Sequence, residues 1–87
     1  MALNFPNASR SYDSTRHAVR FWGYDSAMEM SFFVVADALR RLQPGISPDE
    51  ESLLQAFDSH CEQIRAAATK VYRRGNKSSY ELDPTDF

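Results

Sequence analysis

Cysteine is almost absent from this chain, with Cys61 alone among 87 residues. A single thiol cannot close an intramolecular disulfide, which excludes a secreted disulfide scaffold. Long apolar runs are missing too. The longest, Phe32–Ala36, is strand-sized, far from the roughly 20 residues that span a bilayer. The three glycines, Gly23, Gly45 and Gly75, stand apart, so no glycine-rich phosphate loop can form. Excess charge is lacking as well: ten Lys and Arg against twelve Asp and Glu leave −2. That balance argues against a general nucleic-acid coat or a membrane-surface peptide.

The remaining composition is that of a globular protein, 43% hydrophobic and 25% charged. The length accommodates one small domain, residues 1–87, with a thin core. Residues 1–9 lack periodicity and read as an N-terminal arm. The first residues carry no basic region and no apolar stretch of secretory length, so a cytoplasmic location with Cys61 reduced is expected. On that expectation the Asn7-Ala8-Ser9 match to the glycosylation pattern is chance.

Period-two patterning dominates the first half. Arg10-Ser11-Tyr12 reads as a short strand, and Asp13-Ser14-Thr15 follows with turn chemistry. In His17–Tyr24, Val19, Phe21 and Gly23 share one face, with Arg20, Trp22 and Tyr24 on the other. In Ala27–Val35, Met28, Met30, Phe32 and Val34 oppose Glu29, Ser31, Phe33 and Val35. Both segments are strands by period and aromatic content. A turn at Asp25-Ser26 pairs Tyr24 with Ala27, which sets Phe21 opposite Met30, Val19 opposite Phe32 and Trp22 opposite Glu29.

Helical signals follow. Asp37–Leu42 is a short helix stopped by Pro44-Gly45. Ser47-Pro48-Asp49-Glu50 has the residues of a capping box with proline at the first helical position. The apolar stripe Leu54, Phe57, Cys61, Ile64, Ala68, Val71 then predicts one helix from Pro48 to Arg74, ended by Gly75. Such a helix spans about 40 Å against about 26 Å for an eight-residue strand, and would overhang the sheet. Tyr80-Glu81-Leu82 reads as a last strand. The expected fold is α+β: a mainly antiparallel sheet of two or three strands, two helices, then a final strand, with the helices on one face.

Several of these blocks have a familiar order. Phe5-Pro6-Asn7, Ser11-Tyr12-Asp13, Val19-Arg20-Phe21-Trp22-Gly23, Ser31-Phe32-Phe33-Val34 leading into Ala36-Asp37-Ala38-Leu39, Lys70-Val71-Tyr72 and Ser79-Tyr80-Glu81-Leu82 together resemble the domain of unknown function 1488 family. That resemblance implies a short, single-domain, mostly proteobacterial α+β protein. It implies no activity and supplies no catalytic residues.

The residues themselves offer little catalytic chemistry. There is no Gly-x-Ser-x-Gly elbow, and Cys61 lies on an apolar stripe that suits a buried, inert thiol. His60 and Cys61 are adjacent, about 100° apart on a helix, and His17 is the only other histidine; no metal-ligand spacing exists. No enzyme activity, metal or cofactor is expected. Two surfaces remain. The second sheet face, with Arg20, Trp22, Tyr24, Glu29 and Phe33, is too aromatic for a solvent face and suggests a protein interface, either with a partner or with a second copy. The alternative is that the arm, through Leu3 and Phe5, or the terminal Phe87, folds over it. The other surface is Lys70, Arg73, Arg74 and Lys77 at the end of the long helix, with Tyr72 and Tyr80 nearby. Cations there complement the helix dipole, but cations among aromatics also suit nucleic acid. The expectation is a non-enzymatic interaction module, with nucleic-acid or regulatory binding as the alternative.

Overall fold

Alternation in two neighbouring eight-residue segments builds the centre of the molecule. In the computed structural model, which describes residues 3–5, 9–74 without the Arg74 side chain, and 79–87, β2 (Ala18–Asp25) and β3 (Met28–Val35) form an antiparallel hairpin. The turn lies at Ser26-Ala27, one residue later than expected, with Ser26 at φ +57°. Tyr24 therefore pairs with Glu29, Phe21 with Phe32, Val19 with Val34 and Trp22 with Ser31. This register is shifted by two from the sequence reading. An even shift keeps every side chain on its face, so apolar patterning alone cannot tell the two registers apart. The observed one sets the Phe21 and Phe32 rings in a stack at 5.3 Å.

The strand β1 (Arg10–Asp13) pairs antiparallel with β2. The turn between them follows the sequence chemistry: the Asp13 carboxylate accepts from the backbone N–H of Thr15 at 2.9 Å and of Arg16 at 3.1 Å. Beyond β1, Asn4 bridges to Tyr24 through both backbone bonds, at 2.7 and 2.8 Å. The described part of the arm thereby reaches the core face. A Cβ on Gly23 would lie 3.0 Å from Phe5 and 3.1 Å from Leu3, so only glycine lets the arm close so tightly there. Pro6, Asn7 and Ala8 lie outside the described residues.

Three helices follow β3, not two. The first, α1 (Ala36–Leu42), begins directly at the strand end, where the Ala36 N–H donates to the His17 carbonyl at 3.0 Å. The expected Pro48–Arg74 helix is two: α2 (Glu50–Ser59) and α3 (Cys61–Arg74), parted at His60 with φ −116° and ψ 24°. Its cap is Asp49 rather than Ser47, the carboxylate accepting from the Ser52 N–H at 3.0 Å. Dividing the stripe turns two apolar faces onto one twisted sheet, with Leu53, Ala56 and Phe57 buried from α2 and Ile64, Ala67 and Ala68 from α3. The expected helix of about 40 Å and its overhang disappear, since the longest extent of the molecule is 36 Å.

After this crossover β4 (Ser79–Leu82) joins β3 in parallel. The sheet is therefore mixed, in the order β1-β2-β3-β4, with two antiparallel pairings and one parallel, where a mainly antiparallel sheet was expected. A strand that returns after helices on one face re-enters in the direction of the strand it left, as crossover connections do. The last residues form a short 3-10 turn, Pro84–Asp86, capped by Asp83. Val19, Phe21, Met30, Phe32, Tyr80 and Leu82 from the sheet meet Leu39, Leu53, Phe57 and Ile64 from the helices in one core. Among the described residues no helix is long and apolar enough to cross a membrane. The expected cap Gly75 lies outside them.

Candidate functional site

The residues that alternate away from the core form the second sheet face. Cross-strand rows organise it. One row runs Ser11, Arg20, Phe33, Glu81 across β1 to β4; the next carries Trp22, Ser31 and Ser79; the next pairs Tyr24 with Glu29. Arg20 therefore faces Phe33, and Trp22 faces Ser31, where the sequence register had Trp22 on Glu29. All five predicted interface residues do lie on this face.

Cations cover its rings. The Arg16 guanidinium lies 4.2 Å from the Phe33 centroid, and Arg20 lies 4.9 Å from Trp22 and 5.7 Å from Phe33. A guanidinium over a ring gains from the ring quadrupole, about 0.5–1 kcal/mol at an exposed site. Phe33 is only 7% exposed, yet it stands outside the core cluster; Arg16 shields it. Arg16 also reaches Asp13 at 3.4 Å. Arg20 donates from Nη2 to Ser31 Oγ at 3.0 Å, its Nε is buried with no acceptor, and it makes no ion pair among the described residues. Trp22 is half-buried. At the far end the Tyr24 hydroxyl donates to Glu29 Oε2 at 2.6 Å. That bond to a carboxylate favours the protonated phenol and raises its pKa.

Neither expected cover crosses this face. Phe5 packs on the core side against Phe21 and Phe32, with ring centroids 6.0 and 6.2 Å away. Phe87 packs against the core, its carbonyl accepting from Arg41 Nε at 2.9 Å. Arg16 and Glu81 are charged residues of the face that escaped sequence reasoning. Arg16 lies in a turn, where no period assigns a face. Glu81 alternates visibly with Tyr80 and Leu82, but its face depends on where β4 docks.

The basic end is arranged differently. Lys70 and Arg73 are exposed on α3, whereas Lys77 and the Arg74 side chain lie outside the described residues. The aromatics expected beside them turn inward. Tyr80 is 4% exposed and stacks on Phe32 at 5.4 Å. Tyr72 meets Tyr80 edge-on at 5.9 Å, and its hydroxyl donates to the Asp25 carboxylate, which raises the phenol pKa. Neither ring is presented for base stacking.

The candidate chemical residues are dispersed. His17 Nδ1 contacts the Tyr12 hydroxyl at 2.7 Å, and His60 Nδ1 contacts Gln63 Oε1 at 3.1 Å. Cys61 is half-buried at the start of α3. Among the described residues no three His, Cys, Asp or Glu side chains gather as metal ligands.

Comparison with known proteins agrees with this architecture. A crystal structure of a protein of unknown function from the DUF1488 family of Shewanella loihica superposes with a TM-score of 0.82, at 15% identity, over 93% of this chain and 91% of that one. At that identity the likeness speaks for the fold alone. No curated protein matches. The model of the family described as "Protein of unknown function (DUF1488)" matches residues 3–82, and the chain belongs to that family.

Proposed function

We propose that this chain is a cytoplasmic, non-enzymatic protein-interaction module that self-associates through its second sheet face. The observation that supports the reading is the face itself. Trp22 and Phe33 lie there under two guanidiniums, outside the core cluster, and neither Phe5 nor Phe87 turns toward them. Arginine and tryptophan are the residue types that most often dominate binding energy at interfaces. A second copy is a fitting occupant, because the face carries both signs: Arg16 and Arg20 with Asp13, Glu29 and Glu81.

Size sets the expected strength. Four strands about 4.8 Å apart, the longest about 26 Å, give a face on the order of 400 Å². A standard interface buries about 800 Å² per partner, so association in the micromolar range is expected. Sedimentation equilibrium across that range tests it. Trp22 is the single tryptophan, so its emission reports the same event. The wild type should dimerise and its emission shift to the blue with concentration, while Trp22→Ala remains monomeric. A wild type that stays monomeric at high micromolar concentration would overturn the proposal.

A further inference from the structure

Two opposite charges on the outer face have no counter-charge among the described residues, and their positions specify how a second copy docks. Arg20 makes no ion pair among the described residues and has a buried Nε without an acceptor. The Glu81 side chain, exposed on β4, makes neither a hydrogen bond nor an ion pair among them. Both belong to one cross-strand row, Arg20 to Phe33 to Glu81, on strands separated by β3. Their backbones stand about 9.6 Å apart, with Phe33 and its Arg16 cover between them.

We infer that the pairing is isologous, with its two-fold axis running along β3 between the two sheets, so that Arg20 of each copy meets Glu81 of the other. This rests on the self-association proposed above. Rotation about that axis keeps each row level and lays β2 over β4 of the second copy, with β3 over β3. Sheets packed face to face stand about 10 Å apart with their strands within about 30° of each other, which arginine and glutamate side chains span. Near the axis each copy brings Arg16 and Arg20 together with Asp13 and Glu81, so these charges balance, while Glu29 at the exposed hairpin end of β3 stands over its own counterpart with its carboxylate drawn to the Tyr24 hydroxyl. Other axes do not achieve this. An axis along β2 sets Arg20 against Arg20. An axis between β2 and β3 leaves Arg20 over Phe33 and Glu81 over Ser11. An axis across the strands brings Arg20 toward Tyr24 and Glu29, whose carboxylate already accepts from the Tyr24 hydroxyl, and leaves Glu81 unpaired.

Charge exchange tests the register. Each substitution acts twice across a two-fold axis, so Glu81→Arg should raise the dimer dissociation constant by about tenfold or more at low salt. Arg20→Glu should do the same, and the double exchange Arg20→Glu/Glu81→Arg should return it to within about threefold of wild type. Glu62→Arg, exposed on α3 on the opposite side of the sheet, is the control and should change it by less than about threefold. Thermal melting by circular dichroism establishes that each variant is folded. Because Glu81 is exposed, Glu81→Arg keeps the test decisive even if Arg20→Glu destabilises the monomer. If Trp22→Ala abolishes dimerisation but Glu81→Arg leaves it unchanged, the register is wrong and the face remains the interface. If neither Trp22→Ala nor Glu81→Arg changes the dimer, the face reading fails and this inference with it.

Discussion

The two faces of one sheet use the same aromatic vocabulary in opposite ways. Toward the helices, rings meet rings: Phe32 stacks on both Phe21 and Tyr80, and Phe57 closes on Phe21 at 5.1 Å. Away from the helices, rings meet guanidiniums, with Arg16 on Phe33 and Arg20 on Trp22. The first arrangement excludes water and stabilises the monomer by burial. The second shields rings while keeping charge at the surface, because an arginine lays its planar head on a ring without giving up solvent entirely. A buried aromatic in this protein therefore does not by itself identify the core. Phe33 is buried and belongs to the other face.

The largest expected contrast follows from truncating one ring on each face. Phe32→Ala removes a fully buried ring and should cost about 3–5 kcal/mol, most of what a domain this small can have. Urea unfolding followed by circular dichroism measures it. If Phe32→Ala and Trp22→Ala lower stability equally, the distinction between the faces fails.

Filling the gap beneath the arm is next. At Gly23 a new Cβ would meet the Phe5 and Phe32 rings and Leu3, so Gly23→Ala should destabilise by about 1–3 kcal/mol through overpacking. Leu3→Ala combined with Gly23→Ala relieves part of that crowding. The paired melting temperatures should be less than additive.

Trp22→Ala itself should lower monomer stability by under about 1 kcal/mol, the scale of a surface cation–aromatic contact, while it abolishes self-association. Chemical denaturation at a concentration where wild type is monomeric separates the two effects.

The smallest effect is the pH response, in which the aspartate caps and the outer-face tyrosine differ in sign. At the caps of α2 and the 3-10 turn, Asp49 is held below the usual carboxylate range by hydrogen bonds from Ser52, and Asp83 by those from Thr85. Groups with depressed folded-state pKa values contribute stability above the unfolded value, about 3.9, and lose it as pH falls through the folded values. On the outer face Tyr24 is raised by its bond to Glu29. Its contribution is complete below about pH 10 and is lost as pH rises through the folded value. Asp49→Asn, which can still cap, should flatten the acid limb of the urea midpoint. Tyr24→Phe should flatten only the alkaline limb.

How much could be read beforehand depended on the range of the physics involved. Face assignment was local: alternation sorts Val19 and Phe21 from Arg20 and Trp22 whatever the partner strand, so the candidate face was legible. Register was not, because a two-residue slip preserves every face, and the choice rested on a left-handed Ser26 and on ring contacts between strands. The break at His60 was hidden for a similar reason. The stripe from Leu54 to Val71 is continuous by period, and only the twisted sheet beneath it requires two directions. Arg16 was invisible on the face because turns carry no period.

Sequence alone determined which segments are strands and helices, and which side of each strand is apolar. Those properties follow from backbone propensity and from periods of two and 3.6 residues. Tertiary structure decided the rest. It placed β4 parallel beside β3, drew Leu3 and Phe5 onto the core side, turned Tyr72 and Tyr80 inward, and set Arg20 and Glu81 in one row. Each of these is a relation between residues far apart in the chain, settled by which surfaces bury one another.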